Sequence, residues 1–288
     1  MRAVRLTESG LQLEQIDTPE PGAGDALVRV RAAAITKDEL EWPVDRLPAI
    51  PSYELSGEVA ALGPDANGVA VGDEVYALAD FGRDGAAADF AVVAAALLAP
   101  KPRSLDHVAS AAIPLAALSA SQGLFDHGRL EAGQRVLILG ATGGVGHFAT
   151  QLARHRGAHV IAAASDAETA KALGAHEVVD ARRGRIEDAV EPVDLVFDTV
   201  GGELLERAPA VVRAGGRLVS LATEPAPPSI YFVVEPNREQ LEKVTRLVDV
   251  GELRPEIDSV YVLEEARAAF ERSLARGKRG KVVLRVSD

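Results

Sequence analysis

Residues 139–146 read Leu139-Gly140-Ala141-Thr142-Gly143-Gly144-Val145-Gly146, and they join two different periodicities. The preceding segment, 135–139, is a continuous run of strand length, apolar from Val136 onward. After the glycines, Val145, Phe148, Ala149, Leu152 and Ala153 recur at helical spacing as far as Gly157. Glycines at such a junction let the backbone turn sharply and approach a diphosphate, while free N–H groups at the helix start meet its negative charge. One glycine turn is weak evidence, because any tight strand–helix connection can use it. The segments around it decide the fold.

Downstream, strand and helix patterns alternate. Strands are expected at 159–164, 177–180, 194–198 and 217–221, with helices at 166–173, closed by Gly174, and at 203–213, stopped by Gly215-Gly216. Parallel strands covered on both faces read as unbroken apolar runs, which these do. The segment is therefore an α/β domain: a Rossmann doubly wound parallel sheet. Upstream, short β-rich pieces at 26–33, 55–62, 74–79 and 87–93 alternate with turns such as Pro19-Glu20-Pro21-Gly22 and Gly63-Pro64-Asp65. The tail returns to a strand at 259–263, a helix with Ala266, Phe270 and Leu274 on one face, and a last strand at 281–286, and could pack back on the first domain. Residues 1–115 and 252–288 are thus expected to form a mostly-β domain, and 116–251 the Rossmann domain.

The 288 residues, 47% hydrophobic and 26% charged, suit a globular protein with a sizeable core. A net charge of −12 argues against a nucleic-acid or anionic membrane partner, both of which require clustered Lys and Arg. With no cysteine, disulfides, thiol nucleophiles and thiolate metal sites are excluded, and a reducing cytoplasm is expected. The stretch Met1-Arg2-Ala3-Val4-Arg5 lacks the apolar run of a signal peptide. The charge-free segment 108–125 carries Pro114, three serines and Gln122 between Asp106 and Asp126, and reads as buried rather than membrane-spanning. The six histidines show no metal-ligand spacing and read as surface or structural residues.

An NAD site usually places an acidic residue about 20 positions after the loop, at the end of the second strand, to hold the ribose 2′-hydroxyl. Here that strand ends in Ala164-Ser165, which leaves room for a 2′-phosphate and favours NADPH. Two features oppose this: Ser165-Asp166-Ala167-Glu168 is also a capping box, and Asp166 would repel a phosphate it faced. Lys171, Arg182 and Arg183 are the available counter-charges.

These residues together resemble the medium-chain dehydrogenase/reductase superfamily, specifically its zinc-independent quinone oxidoreductase, or zeta-crystallin-like, branch. The resemblance rests on Ala32-Ala33-Ala34-Ile35-Thr36-Lys37-Asp38, Tyr53-Glu54-Leu55-Ser56-Gly57-Glu58-Val59, residues 112–120, the glycine loop, Phe197-Asp198-Thr199-Val200-Gly201-Gly202 and the closing Arg279-Gly280-Lys281-Val282-Val283-Leu284. It implies a GroES-like catalytic domain beside the Rossmann domain, with nicotinamide and substrate in the cleft between. Zinc-dependent relatives carry Cys and His at the positions matching Thr36 and Tyr53, so the resemblance implies hydride transfer without metal. By the same likeness Gly143, Gly144 and Val145, with Thr142 in the same loop, would hold the diphosphate, and Ser165 and Lys171 would lie near the 2′-phosphate. Ser119, Val200, Leu221, Ala222 and Thr223 would contact nicotinamide and its ribose, and Phe232 and Val234 would face the cofactor. Thr36, Lys37, Tyr53 and Tyr231 are candidate proton donors or oxyanion partners. For the tyrosines the plainer reading is an amphipathic wall residue, and for Lys37 a solvated charge.

The implied activity is NADPH-dependent reduction of an activated C=C bond in a quinone, enone or enoyl compound. A non-catalytic NADPH-binding sensor or structural protein, and a reductase of C=O or C=N in a biosynthetic intermediate, are the alternatives. Short-chain reductases are excluded, because Gly57, Asp80, Glu235 and Glu265 stand where Tyr-x-x-x-Lys needs lysine. The apolar segment 230–234, expected at a sheet edge, suggests a homodimer.

Overall fold

The computed structural model describes residues 1–42, 47–180, 182, 184–275 and 277–287. By packing they divide into two compact units: Met1–Leu115, Pro236–Gly251 and Pro255–Asp288 in one, Ala116–Glu235 and Glu252–Arg254 in the other.

The first unit opens with an antiparallel hairpin, β1 (Arg2–Thr7) and β2 (Gly10–Gln15). The long strand β3 (Asp25–Ile35) organises the rest, followed by β4 (Glu54–Leu62), β5 (Glu74–Leu78), β6 (Phe90–Ala94) and β7 (Ala99–Pro100). One edge of β3 pairs with β4, and the start of its other edge pairs with β6. Register shifts at Leu27/Val28 and Val30/Ala32 bend the strand, as bulges do. The strand expected from 87 begins only at Phe90, because the backbone before it is already engaged: Ala86 and Ala87 N–H bond Ser52 and Pro51 carbonyls, and Ala87 O accepts from Val4.

The charge-free run forms α1 (His107–Ala111), α2 (Pro114–Ser121) and a further helical turn, Gln122–His127, with residues 110–120 all buried. Among the described residues no helix is long and apolar enough to cross a membrane.

The second unit alternates β8 (Arg135–Leu139), α3 (Gly146–His155), β9 (His159–Ala163), α4 (Ala167–Ala172), β10 (Glu177–Val179), α5 (Ile186–Ala189), β11 (Val193–Asp198), α6 (Gly202–Arg207), β12 (Val212–Ser220) and β13 (Ile230–Tyr231). Its six strands are all parallel in the order β10-β9-β8-β11-β12-β13. That is the Rossmann order, in which chain direction across the sheet reverses between β8 and β11. One expectation fails here. The helix assigned to 203–213 stops at Arg207, since Pro209 supplies no N–H and turns 208–211 into a tighter coil; β12 then runs straight through Gly215-Gly216.

The chain returns to the first unit through α7 (Arg238–Asp249), β14 (Ile257–Val262), α8 (Ala266–Leu274) and β15 (Lys281–Arg285), which pairs antiparallel with the second half of β3. On α8 the buried face is Ala266, Ala269, Phe270 and Ser273; Leu274, expected on that face, is half exposed because it falls one position past the stripe. Helix α7 lies within the expected domain 116–251, yet its bonds run to the first unit. Tyr76 on β5, fully buried, donates to Leu241 O at 2.8 Å and meets Thr245 Oγ1 at 2.8 Å, while Thr245 donates to Pro100 O on β7.

Tyr76→Phe leaves this helix contact without its polar partner. Urea unfolding is expected to show a loss of about 1–2 kcal/mol, with the m-value unchanged.

Candidate functional site

In the second unit the carboxyl ends of β8, β9, β11 and β12 carry the loops of interest, and specific bonds hold them together. Gly140 has φ +80°, and Gly146 lies so close to the turn that a Cβ there would sit 2.0 Å from Gly140 O. Thr199 Oγ1 donates to Leu139 O at 2.7 Å, tying the end of β11 to the glycine loop, and Gly140 and Ala141 N–H reach Ala163 O at the end of β9. No side chain caps α3, and among the described residues the N–H groups of Thr142, Gly144, Val145 and Gly146 find no acceptor. These donors are unmet backbone groups at the start of a ten-residue helix.

Asp198, fully buried, shapes the neighbouring loops. Its carboxylate accepts from Val200 N–H at 3.1 Å, Gly201 N–H at 3.0 Å and Ser220 Oγ at 2.8 Å. Ser220 Oγ in turn receives Ala222 and Thr223 N–H. Val200, Leu221, Ala222 and Thr223 therefore belong to one bonded cluster beside the glycine loop. The Phe-Asp-Thr sequence signal was present, but nothing in spacing alone assigns Asp198 this role.

Ser165 is exposed, and it is not the helix cap: Asp166 is, accepting Thr169 N–H at 3.0 Å and Thr169 Oγ1 at 2.9 Å. The expected capping box through Ser165 is thus corrected. Lys171 stands in the last turn of α4, a full helix away from Ser165, and lines an open groove of about 680 Å³ with His176, Asp180 and Arg185. Arg182 is paired with Asp180 at 3.0 Å, and Arg183 lies outside the described residues. Ser119 is buried on α2. Phe232 and Val234 point inward, Phe232 with its ring 4.5 Å from that of His127, while Tyr231 and Val233 alternate outward.

In the first unit Thr36 lies in a buried polar network. Its hydroxyl donates to Glu54 Oε1 at 3.2 Å and receives Lys281 Nζ at 3.2 Å; Lys281 also bonds Glu54 directly, and both are almost wholly buried. Glu54 Oε2 accepts Leu115 N–H at 2.9 Å. Glu39, on the other side, accepts Thr36 N–H at 2.9 Å and Ser52 N–H at 3.0 Å, joining the Thr36 and Tyr53 segments. Burial pushes its carboxyl up to about 8, against the opposing pull of those N–H bonds and of Lys281. Lys37 is exposed and paired with Asp38 at 3.4 Å. Tyr53 is buried, stacked on Trp42 at 6.0 Å, with Phe81 edge-on at 5.2 Å. Lys278, which the sequence did not single out, is lowered to about 8, by burial first and then by Lys281.

A Ser–His–Glu chain also occurs: Ser56 Oγ lies 2.8 Å from His107 Nδ1, and His107 Nε2 lies 3.1 Å from Glu74. Ser56 is fully buried and donates to Val75 O, so this arrangement ties strands together rather than exposing a nucleophile.

Residues 22–103 match the alcohol dehydrogenase GroES-like domain, and residues 173–284 match the zinc-binding dehydrogenase family. A 2-methylene-furan-3-one reductase from Solanum lycopersicum is 33% identical over 308 residues, spanning 99% of this chain and 79% of its own. The chain belongs to the medium-chain dehydrogenase/reductase superfamily. This medium-chain dehydrogenase/reductase is also 32% identical to the Arabidopsis thaliana protein named NADPH-dependent alkenal/one oxidoreductase, chloroplastic, over 95% of this chain and 75% of that one. The solved quinone oxidoreductase from Coxiella burnetii superposes with a TM-score of 0.93 at 30% identity, covering 99% of both chains. The mostly-β first unit with a Rossmann second unit is the architecture that these likenesses share.

Glu39 generates a pH prediction. A carboxyl raised from 4.5 to about 8 contributes stability that is full below about pH 4.5 and is lost as pH rises through about 8. Glu39→Gln stays neutral throughout, so the unfolding free energy of the variant relative to the parent should climb across that window and level off above it. A constant offset in urea titrations at several pH values would show that Glu39 titrates ordinarily.

Proposed function

We propose that this chain is an NADPH-dependent oxidoreductase that transfers hydride, without zinc, to an activated C=C bond of a small quinone, enone or enoyl compound. The observation that carries the nucleotide reading is the row of unmet N–H donors at Thr142, Gly144, Val145 and Gly146, which suits a diphosphate. Ser165, exposed and free of capping duty, in place of an acidic residue supports the phosphorylated form, and Asp166 turns its charge into its own helix. The names of the Solanum and Arabidopsis relatives and of the Coxiella structure support the substrate class.

When bound, the reduced nicotinamide supplies the hydride. The protein's part is to orient the two reactants and to stabilise the oxygen that gains charge. Lys37, Tyr53 and Tyr231 are the proposed donors to that oxygen or to the carbon that takes the proton; the single hydroxyl proton of Thr36 is already given to Glu54. Zinc does not suit the residues present. Thr36 and Tyr53 stand where ligands would be needed, the buried carboxylate of Glu54 is already neutralised by Lys281, and among the described residues no three His, Asp or Glu side chains converge. An enolate or hydroquinone anion needs less help than an alkoxide, which favours conjugate reduction for such a site. A cytoplasmic location is proposed from the absence of cysteine, and a homodimer from the position of β13 at the edge of its sheet.

The test is oxidation of NADPH and NADH, followed by near-ultraviolet absorbance, with a panel of quinones, enones and saturated carbonyls. Turnover of the conjugated acceptors alone, with NADPH preferred, is expected; tight NADPH binding with no turnover on any acceptor would leave a binding protein. Ser165→Asp should reduce the preference for NADPH over NADH by about tenfold or more, because a carboxylate would face the 2′-phosphate.

A further inference from the structure

The carbonyls of Ala141 and Gly143 in the loop, and of Gly146 at the helix start, are held toward the body of α3. Two buried side chains from the first turns of α3 do this. His147 Nδ1 lies 2.9 Å from Gly143 O, and because a carbonyl can only accept, Nδ1 carries the proton. The backbone N–H of His147 reaches the same oxygen at 3.1 Å, so both of its lone pairs are used. Thr150 Oγ1 bonds Ala141 O at 3.2 Å and Gly146 O at 2.9 Å. Both residues are fully buried, and the His147 ring packs on Phe148 with centroids 4.1 Å apart, which restricts its rotation.

In a planar trans peptide the C=O and the following N–H point in opposite directions. Holding Gly143 O toward His147 therefore aims Gly144 N–H away from the helix body. Holding Ala141 O toward Thr150 does the same for Thr142 N–H. These are two of the four unmet donors. His147 Nδ1 and Thr150 Oγ1 are both spent on the loop backbone.

We propose that His147 and Thr150 are positioning residues that preorganise the glycine loop for the diphosphate of the nucleotide, setting cofactor affinity from behind the binding surface. The inference rests on the nucleotide reading above. A loop whose peptides can flip must be ordered on binding, and that cost falls on affinity.

Equilibrium titration of the full-length chain with NADPH, by calorimetry and by nucleotide fluorescence, tests it. His147→Leu and the near-isosteric Thr150→Val should each raise Kd about fivefold, as loss of one net hydrogen bond implies, and the double variant about twenty-five-fold. His147→Asn, whose side-chain amide can donate to the same carbonyl, should recover most of the loss. The deficit should appear in KM for NADPH more than in kcat. Adenosine 2′-monophosphate, which has the 2′-phosphate but no diphosphate, should bind parent and variants alike.

Unchanged Kd for NADPH in Thr150→Val and His147→Leu overturns the proposal while leaving the nucleotide reading intact. Equal weakening toward adenosine 2′-monophosphate also overturns it, since a general structural defect would act on both ligands. Thr150→Val keeps the test decisive if His147→Leu does not fold. Absence of NADPH binding by the parent chain overturns both the proposal and the reading beneath it.

Discussion

A carboxylate with no solvent at all must find its hydrogen bonds inside the protein, and in the second unit that requirement sets the loop geometry. Asp198 is fully buried at the end of β11 and satisfies its oxygens with Val200 N–H, Gly201 N–H and the Ser220 hydroxyl. Through Ser220 the same charge organises Ala222 and Thr223. Thr199, next along the chain, fastens the end of β8. One buried anion thus brings the loops of three neighbouring strands into register at the point where the sheet reverses direction. The unmet N–H donors of the glycine loop stand beside that cluster.

Two glutamines perform a related task farther from the loops. Gln122 donates to Glu235 O and accepts Glu235 N–H, and Gln151 does the same for Arg254. Each side-chain amide stands in for a strand partner, satisfying both backbone groups of one residue where the chain leaves or re-enters the unit. The polar side chains of this unit are used chiefly to hold backbone in place.

The first unit uses buried charge differently. Glu54 and Lys281 come from β4 and β15, far apart in sequence, and meet with almost no solvent. Removing either partner would strand an uncompensated buried charge, although the intact pair adds little net stability over an apolar pair of the same size. Glu39 joins the network from the other side and links the backbone at Thr36 to that at Ser52, which itself has a positive φ of 68°. Thr36 and the backbone leading into Tyr53 are therefore tied together by a set of groups that no local pattern in the sequence would gather.

Local pattern was enough for much of the fold. The strand 135–139 is observed with those bounds, and the apolar runs of β9 and β11 and the glycine junction follow from periodicity and from the conformational freedom of glycine, both read within a few residues. Short-range reading misplaced the end of α6, where Pro209 overrode a helical pattern, and the face of α8. It missed α7 altogether, although Asn237 caps it and Leu241, Val244 and Val248 carry its buried stripe. Of the candidate site, the glycine turn and its free N–H groups were legible because their geometry is local to one turn. Asp198, Glu39, Lys281, His147 and Thr150 were not, because what each does depends on which backbone group the folded chain brings to it. Sequence by itself determined the alternation of strands and helices and the absence of thiol chemistry. Only tertiary structure decided which carbonyls face inward, since a hydrogen bond between distant segments is a property of their meeting and not of either one alone.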